Sequence, residues 1–192
     1  MRETSKCQNI RLQRGDFEKY LKGKGIDIGA GNDVLRVVNG TVRGWDVPDG
    51  DAQKMAGVAD NTYDFVYSSH CLEHVRDVPD ALTNWLRILK PGGWLYIVVP
   101  DCVLYEKMTW PSRFNPDHKQ SFSNLVPRQA VVRPNHWHVE QDLIPLLTNL
   151  GTTELKWGLE CWGFNFNNGA IDQTLFDAVA QLCFVVRKPE EQ

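Results

Sequence analysis

Apolar positions along this 192-residue chain fall into short continuous or alternating runs, separated by stretches in which they recur every three or four residues. Runs of the first kind predict strands, and stretches of the second kind predict helices. "GIDIGAG", from Gly25, reads as a strand running into a tight turn. "GTVRGWDV" gives a second strand ending at Asp46, and "YDFVYSS" a third, entered through the turn-like "NTYD". "WLYIVVP" is apolar throughout, the pattern of a central strand covered on both faces. In "DVPDALTNWLRILKPGG", Val78, Ala81, Leu82, Trp85, Leu86 and Leu89 form one helical stripe, which Pro91 and the glycines after it should end. A short N-terminal helical segment, a brief helix over "DVLRVV" and a helix over "EQDLIPLLTNLG" ending at Gly151 complete the helical readings. "TTELKWGLE" and "AVAQLCFVVRK" are two late strands.

Strands alternating with helices predict an α/β domain with a mostly parallel sheet. One edge of that sheet should be trimmed. Only four residues, "VPDG", separate Asp46 from Asp51, and "MAGVADN" leads straight into the next strand. A full crossover needs about 10–12 residues or more, so one edge strand and its helix are expected to be missing or vestigial. No repeat, low-complexity block or domain boundary interrupts the chain, which is read as a single domain over 1–192.

Charge and cysteine usage narrow the partners. A net charge of −3 and a pI near 5.9 advertise no basic surface for nucleic acid. No apolar run approaches the roughly 20 residues of a membrane span, and the charged N-terminus lacks a signal-peptide core, so a cytoplasmic location is expected. The five cysteines form no C-x-x-C pair. That argues against a structural zinc site or a disulfide scaffold, and no metal is assigned.

The chemistry gathers around "GIDIGAGND". Gly29 and Gly31 make a G-x-G turn, but Val34 stands where the dinucleotide fingerprint G-x-G-x-x-G has its third glycine. A pyrophosphate at this turn would be repelled by Asp27, which counts against a nicotinamide-linked oxidoreductase and suits a ligand with a cationic group. A turn of this kind alone is weak evidence. Here it is followed in order by Asp46, 17 positions after Gly29, by "DGDAQ", by "FVYSSHCLEHV" and by "LKPGGWLYIVVP".

On these motifs, over roughly Gly25 to Asp101, the chain resembles the class I S-adenosylmethionine-dependent methyltransferases, in particular the small-molecule group known as type 11. The resemblance implies a Rossmann-like methyltransferase fold of seven strands with an antiparallel last strand, supplied by "AVAQLCFVVRK", and S-adenosylmethionine as cofactor. It further implies that Gly29, Ala30 and Gly31 approach the methionine moiety, that Asp27 holds its ammonium, that Asp46 takes the ribose and Asp51 with Ala52 the adenine, and that Ser69 and His70 flank the methyl group. A domain that binds the cofactor without catalysis, or docks a partner, would keep the same acids.

The acceptor side is read from the residues alone. Ligand loops gather at the carboxyl edge of an open sheet, which is where "VPDCVLYEKMTWPSRFNPDHKQSFSNL" begins. His118 is the first candidate base, with Asp117 second, and Tyr105, Trp110 and Lys119 are candidate acceptor contacts. Glu73-His74 reads as a brace for its loop. His136 and His138 are further base candidates for which a structural role is preferred, and the aromatic run "CWGFNFNN" is read as packing plus an exposed loop rather than an acceptor pocket or protein interface. Aromatic loops on an acidic chain suit a small neutral acceptor or a sugar hydroxyl. An alcohol acceptor needs a base, because its proton must leave as the new bond forms.

Overall fold

Alternation along the central strands decides the layering, because successive side chains of a strand leave on opposite faces. The computed structural model describes residues 3–162, except 113, 132 and 134, together with 178–191. Three short helices, α1 (Glu3–Lys6), α2 (Gln8–Gln13) and α3 (Asp16–Lys19), precede strands β1 (Gly23–Ile28), β2 (Gly40–Trp45) and β3 (Tyr63–Ser69). Then follow α4 (Val78–Ile88), β4 (Leu89–Pro100), the short strands β5 (Ser121–Ser123) and β6 (His136–His138), α5 (Ile144–Asn149), β7 (Thr153–Trp162) and β8 (Val179–Arg187).

Six strands form one sheet in the order β2-β1-β3-β4-β8-β7. The first four run parallel, and β8 is antiparallel to both β4 and β7. The antiparallel strand is the one expected from "AVAQLCFVVRK". The trimmed edge is also as expected. Residues 47–62 make turns and no strand, so β2 is the sheet's margin and the implied seventh strand is missing among the described residues.

Val66, Leu95 and Ile97 face α4, whose Val78, Ala81, Leu82, Trp85, Leu86 and Ile88 are buried against them. Their strand neighbours Phe65, Tyr67, Tyr96 and Val98 face the other way, onto Phe17, Tyr20 and Leu21. The N-terminal helices therefore cover the second face. Arg11 of α2 is fully buried there, with its guanidinium over the rings of Tyr67 and Tyr96 at 5.2 and 5.7 Å. It donates from Nη1 to the Thr4 carbonyl at 3.0 Å, which pins α1 to the body of the fold.

Three readings of the pattern need correction. "DVLRVV" forms no helix, and residues 33–37 are irregular. The run is rich in β-branched valine, and the Leu35 N–H donates to the Asp27 carboxylate at 2.7 Å instead of to a helical carbonyl. The helix after Asp77 stops at Ile88, before Leu89. Lys90 precedes Pro91 and so resists helical geometry, and Leu89 is already extended and paired with Tyr63. The helix expected over "EQDLIPLLTNLG" is split. Val139–Leu143 makes a wider π-type turn before α5, next to Pro145, which has no N–H to give. No described helix is long and apolar enough to cross a membrane.

Candidate active site

The carboxyl ends of β1, β2 and β3 and the loop after β4 enclose two adjoining cavities. The larger, about 480 Å³, is lined by Asp46, Val47, Asp51, Ala52 and Cys71 among others. The smaller, about 320 Å³, is lined by Thr4, Ser69, Glu73, Tyr105, Phe114 and His118 among others. Gly29, His70 and His74 belong to both walls.

Local geometry explains why the turn after β1 needs glycine. Gly29 has φ +79°, and a Cβ there would lie 2.4 Å from Cβ of Cys71. The backbone therefore passes close beneath the residue that follows β3, and no side chain fills the junction of the cavities. Gly31 donates its N–H to Asp46 Oδ2 at 2.5 Å, and Val47 N–H donates to Asp46 Oδ1 at 2.7 Å. The carboxylate at the end of β2 is thus aimed along the glycine turn. The loop bearing Asp51 is held by Asp51 Oδ1, which accepts from Gln53 N–H, and by the Ala52 carbonyl, which accepts from the Trp85 indole at 2.8 Å.

Asp27 is not in either cavity wall. It is 1% exposed and accepts the Leu35 N–H. Burial pushes its carboxyl up to about 7, against the opposing pull of that N–H and of Arg11. Asp27 thus braces the turn from outside both of these cavity walls. Gly29, Ala30, Gly31, Ser69 and His70 do line the smaller cavity, and Asp46, Asp51 and Ala52 the larger.

Around the smaller cavity the structure gathers a carboxylate and three imidazoles. Glu73 sits in a single helical turn, Leu72–His74, and is completely buried. Its carbonyl accepts from the N–H groups of Lys119 and Gln120 at 2.7 and 2.9 Å, so it does brace the later loop. Its carboxylate is another matter. Glu73 Oε1 faces His70 Nδ1 at 3.6 Å, His74 Nε2 at 3.9 Å and His118 Nε2 at 3.9 Å, and neither oxygen has a hydrogen-bond partner among the described residues. His118 is buried, and its Nδ1 lies 2.6 Å from Glu106 Oε1. His74 Nδ1 lies 3.1 Å from Asp117, and His70 Nε2 lies 3.0 Å from the Gln181 carbonyl oxygen.

The remaining candidates divide. Tyr105 lines the smaller cavity, its ring stacked near His118 with centroids 6.0 Å apart. Asp117 is exposed at the rim of the larger cavity, and Lys119 beside it holds its carboxyl below the usual range. Lys119 itself bonds Asp117 at 2.9 Å, and Trp110 lies under the Arg133 guanidinium. Neither residue lines either of these two cavities. His136 bonds Ser121, and His138 caps the following turn, so both are structural here. The run after Trp162 lies outside the described residues.

Sequence reasoning missed Glu3, Thr4 and Glu106. The N-terminal pair reach the cavity because Ser5 bonds both oxygens of Asp33, fastening α1 to the glycine turn. Glu106 carries no local signal, since only the folding of its loop brings it to His118.

The sequence matches the family model described as a methyltransferase domain over residues 12–133, well over half of the chain, and the chain belongs to that family of S-adenosylmethionine-dependent methyltransferases. S-adenosylmethionine is accordingly its cofactor. No curated protein matches the sequence. Among solved structures, a SAM-dependent methyltransferase from Archaeoglobus fulgidus is similar at 16% identity, with 98% of this chain and 95% of that one covered and a TM-score of 0.58. Phosphoethanolamine N-methyltransferase 2 of Haemonchus contortus, in complex with phosphomonomethylethanolamine and S-adenosylhomocysteine, is similar at 14% identity and a TM-score of 0.56. That match covers 95% of this chain but 53% of the other, so this chain spans about half its length. At these identities the likeness is one of fold.

Proposed function

We propose that the chain methylates a hydroxyl of a small polar acceptor, such as a sugar, with the cofactor's adenosine in the larger cavity and the acceptor in the smaller. The supporting observation is that the two cavities share Gly29, His70 and His74, so the junction is where a sulfonium methyl would face a bound hydroxyl. Asp46, its carboxylate aimed along the turn, takes the ribose hydroxyls, and Asp51 with Ala52 takes the adenine edge. The Gly29–Gly31 backbone lies along the methionine moiety, with Ser69 and His70 beside the methyl group. Glu3 and Asp33, in the wall of the smaller cavity, replace Asp27 as carboxylates for the cationic end.

A sulfonium methyl is already electrophilic, so the protein has to orient the acceptor and manage its proton. Orientation alone lowers a barrier by about 7–11 kcal/mol in favourable cases. Tyr105 and Phe114 supply apolar faces against which an acceptor packs. The proton is managed by the Glu73–histidine cluster, of which His118 is the principal member.

The test is calorimetric titration of the purified protein with S-adenosylhomocysteine, followed by a turnover screen of sugars and small hydroxylated metabolites. One-site binding that is lost in Asp46→Ala, with turnover of a hydroxyl acceptor, is the expected result. Binding with turnover only of amines or carboxylic acids would overturn the acceptor class and leave the cofactor site standing.

A further inference from the structure

We propose that Glu73, His74 and His118 bind one divalent transition-metal ion in the wall of the smaller cavity. One ligand atom from each residue lies within 4.8 Å of the other two. Proximity alone would be a thin argument. What carries the proposal is the geometry of the hydrogen-bond partners around the three rings, which selects one tautomer of each.

Each ring has its far nitrogen on an oxygen that can only accept. His118 Nδ1 meets the Glu106 carboxylate, and His74 Nδ1 meets the Asp117 carboxylate. His70 Nε2 meets the Gln181 carbonyl oxygen, whose identity is settled because the amide nitrogen of Gln181 donates to Glu160 Oε2 at 2.6 Å. In a neutral imidazole one nitrogen donates and the other accepts. The far nitrogens of all three rings therefore hold the protons, and the near ones turn lone pairs toward Glu73 Oε1. That oxygen is itself an acceptor, completely buried and without a hydrogen bond among the described residues.

Lone pairs from several bases converging on a buried carboxylate repel one another unless a positive charge lies between them. A proton on any near nitrogen would draw that pair into a hydrogen bond, yet the separations of 3.6–3.9 Å lie beyond hydrogen-bond range. A cation fits these separations. Ligands on an ion about 2.0–2.1 Å from each nitrogen sit roughly 3.4 Å apart, so the Glu73–histidine separations of 3.9 Å close by about half an ångström and the widest ligand pair, within 4.8 Å, by up to about 1.4 Å.

The surroundings match what metal-binding histidines need, since such rings donate their other N–H to a carboxylate or carbonyl that fixes tautomer and orientation. Two imidazoles and one carboxylate suit zinc or a neighbouring first-row ion, and three protein ligands leave a coordination position for a small molecule. His70 faces the same Glu73 oxygen at 3.6 Å and is placed to respond to the ion.

The ion's catalytic use rests on the proposed hydroxyl acceptor, whereas its binding does not. An acceptor R–OH on the ion loses its proton to solvent. The resulting oxygen lone pair forms a bond to the methyl carbon as the carbon–sulfur bond breaks, and the electron pair stays on the sulfur of S-adenosylhomocysteine. The products are R–O–CH₃, S-adenosylhomocysteine and one proton, so atoms and charge balance. His118 then acts as a ligand, and its Glu106 partner as a positioning residue.

The experiment is titration of chelator-treated full-length protein with Co²⁺ and with Zn²⁺, read by calorimetry and by the visible absorption of Co²⁺. Glu73→Gln and His118→Asn are compared with wild type, and His136→Asn serves as control. The expected result is one ion per chain, bound at least about tenfold more weakly by either cluster variant and unchanged by the control. Thermal unfolding of the metal-free proteins supplies a second reading. The amide introduced by Glu73→Gln can donate to the imidazole lone pairs, so this variant, free of metal, should melt at or above wild type. No ion bound by wild type, or binding indifferent to both cluster variants, overturns the proposal. A marked fall in the melting temperature of metal-free Glu73→Gln also overturns it, because that outcome means the carboxylate is paired with an imidazolium. Binding of S-adenosylhomocysteine, measured on the same samples, reports separately on the cofactor reading.

Discussion

The cavity proposed for adenosine and the one proposed for the acceptor are built in opposite ways. The first consists of backbone and of carboxylates at the end of β2 and in the loop after it, with Gly29, Asp46, Asp51 and Ala52 all inside 24 consecutive positions. The second is made of side chains that arrive from α1, from the turn after β3 and from both ends of a long loop after β4. A site of the first kind is set by strand register and short turns, so a substitution there should alter cofactor affinity and little else. A site of the second kind depends on loop folding, so a substitution there should alter turnover while the cofactor binds as before.

The sharpest way to break this comparison is His118→Ala. Turnover should fall by about 10²-fold or more, with affinity for S-adenosylhomocysteine within roughly twofold of wild type, read by steady-state kinetics beside calorimetry. A large loss of cofactor affinity would erase the division between the two sides. Next comes Asp46→Ala, which removes a carboxylate that already orients Gly31 and Val47. Hydrogen bonds to a charged group contribute about 1.5–3 kcal/mol, so affinity for S-adenosylhomocysteine should drop by roughly 10- to 100-fold. Unchanged affinity would remove Asp46 from the ribose.

Asp27→Asn tests whether the glycine turn is braced from below. A carboxyl raised to about 7 in the folded chain but near 3.9 when unfolded holds its proton more tightly in the native state. Its contribution to stability is therefore complete below about pH 4 and is lost as pH rises toward 7. Asparagine still accepts the Leu35 N–H and does not titrate. The stability difference between variant and wild type should widen in favour of the variant over that window, by an amount on the order of a few kcal/mol. Parallel denaturation curves from pH 4 to 8 would show that Asp27 does not titrate there. The smallest effect belongs to Trp85→Phe, which keeps the ring in the core and deletes the bond to the Ala52 carbonyl. A cost of about 1 kcal/mol in unfolding free energy and a severalfold loss of cofactor affinity are expected, and equal affinity would mean the adenine loop holds itself.

The same contrast explains what could be read from the sequence. The strands were legible because their patterns are local. "WLYIVVP" has to be covered on both faces, and four residues after Asp46 cannot make a crossover. The ordered motifs likewise placed Gly29, Asp46 and Asp51 on one edge of the sheet. The bond Asp27 makes was not legible because spacing gives the position of a carboxylate and not its direction, and the N–H it takes belongs to a segment that looked helical. Trp110 and Lys119 stood out in the sequence as an aromatic and a cation in a loop, a pattern that cannot show that one meets Arg133 and the other Asp117. Glu73 was read as a brace, which its carbonyl confirms. Its side chain could not be assessed without Glu106, Asp117 and Gln181, which lie 33, 44 and 108 positions further on.

The irregular run after Gly31 carries a consequence for ligand choice. A helix beginning at this turn would present free N–H groups and the positive end of its dipole, a ready seat for phosphate. Here residues 32–39 form no helix, one of the N–H groups is spent on Asp27, and another on Asp46. A ligand that carries its charge as phosphate finds no counter-pole at this turn, and one that carries a sulfonium loses nothing by that. A dinucleotide thus meets no positive pole at this turn, because two of the main-chain donors that would face its phosphates already serve Asp27 and Asp46.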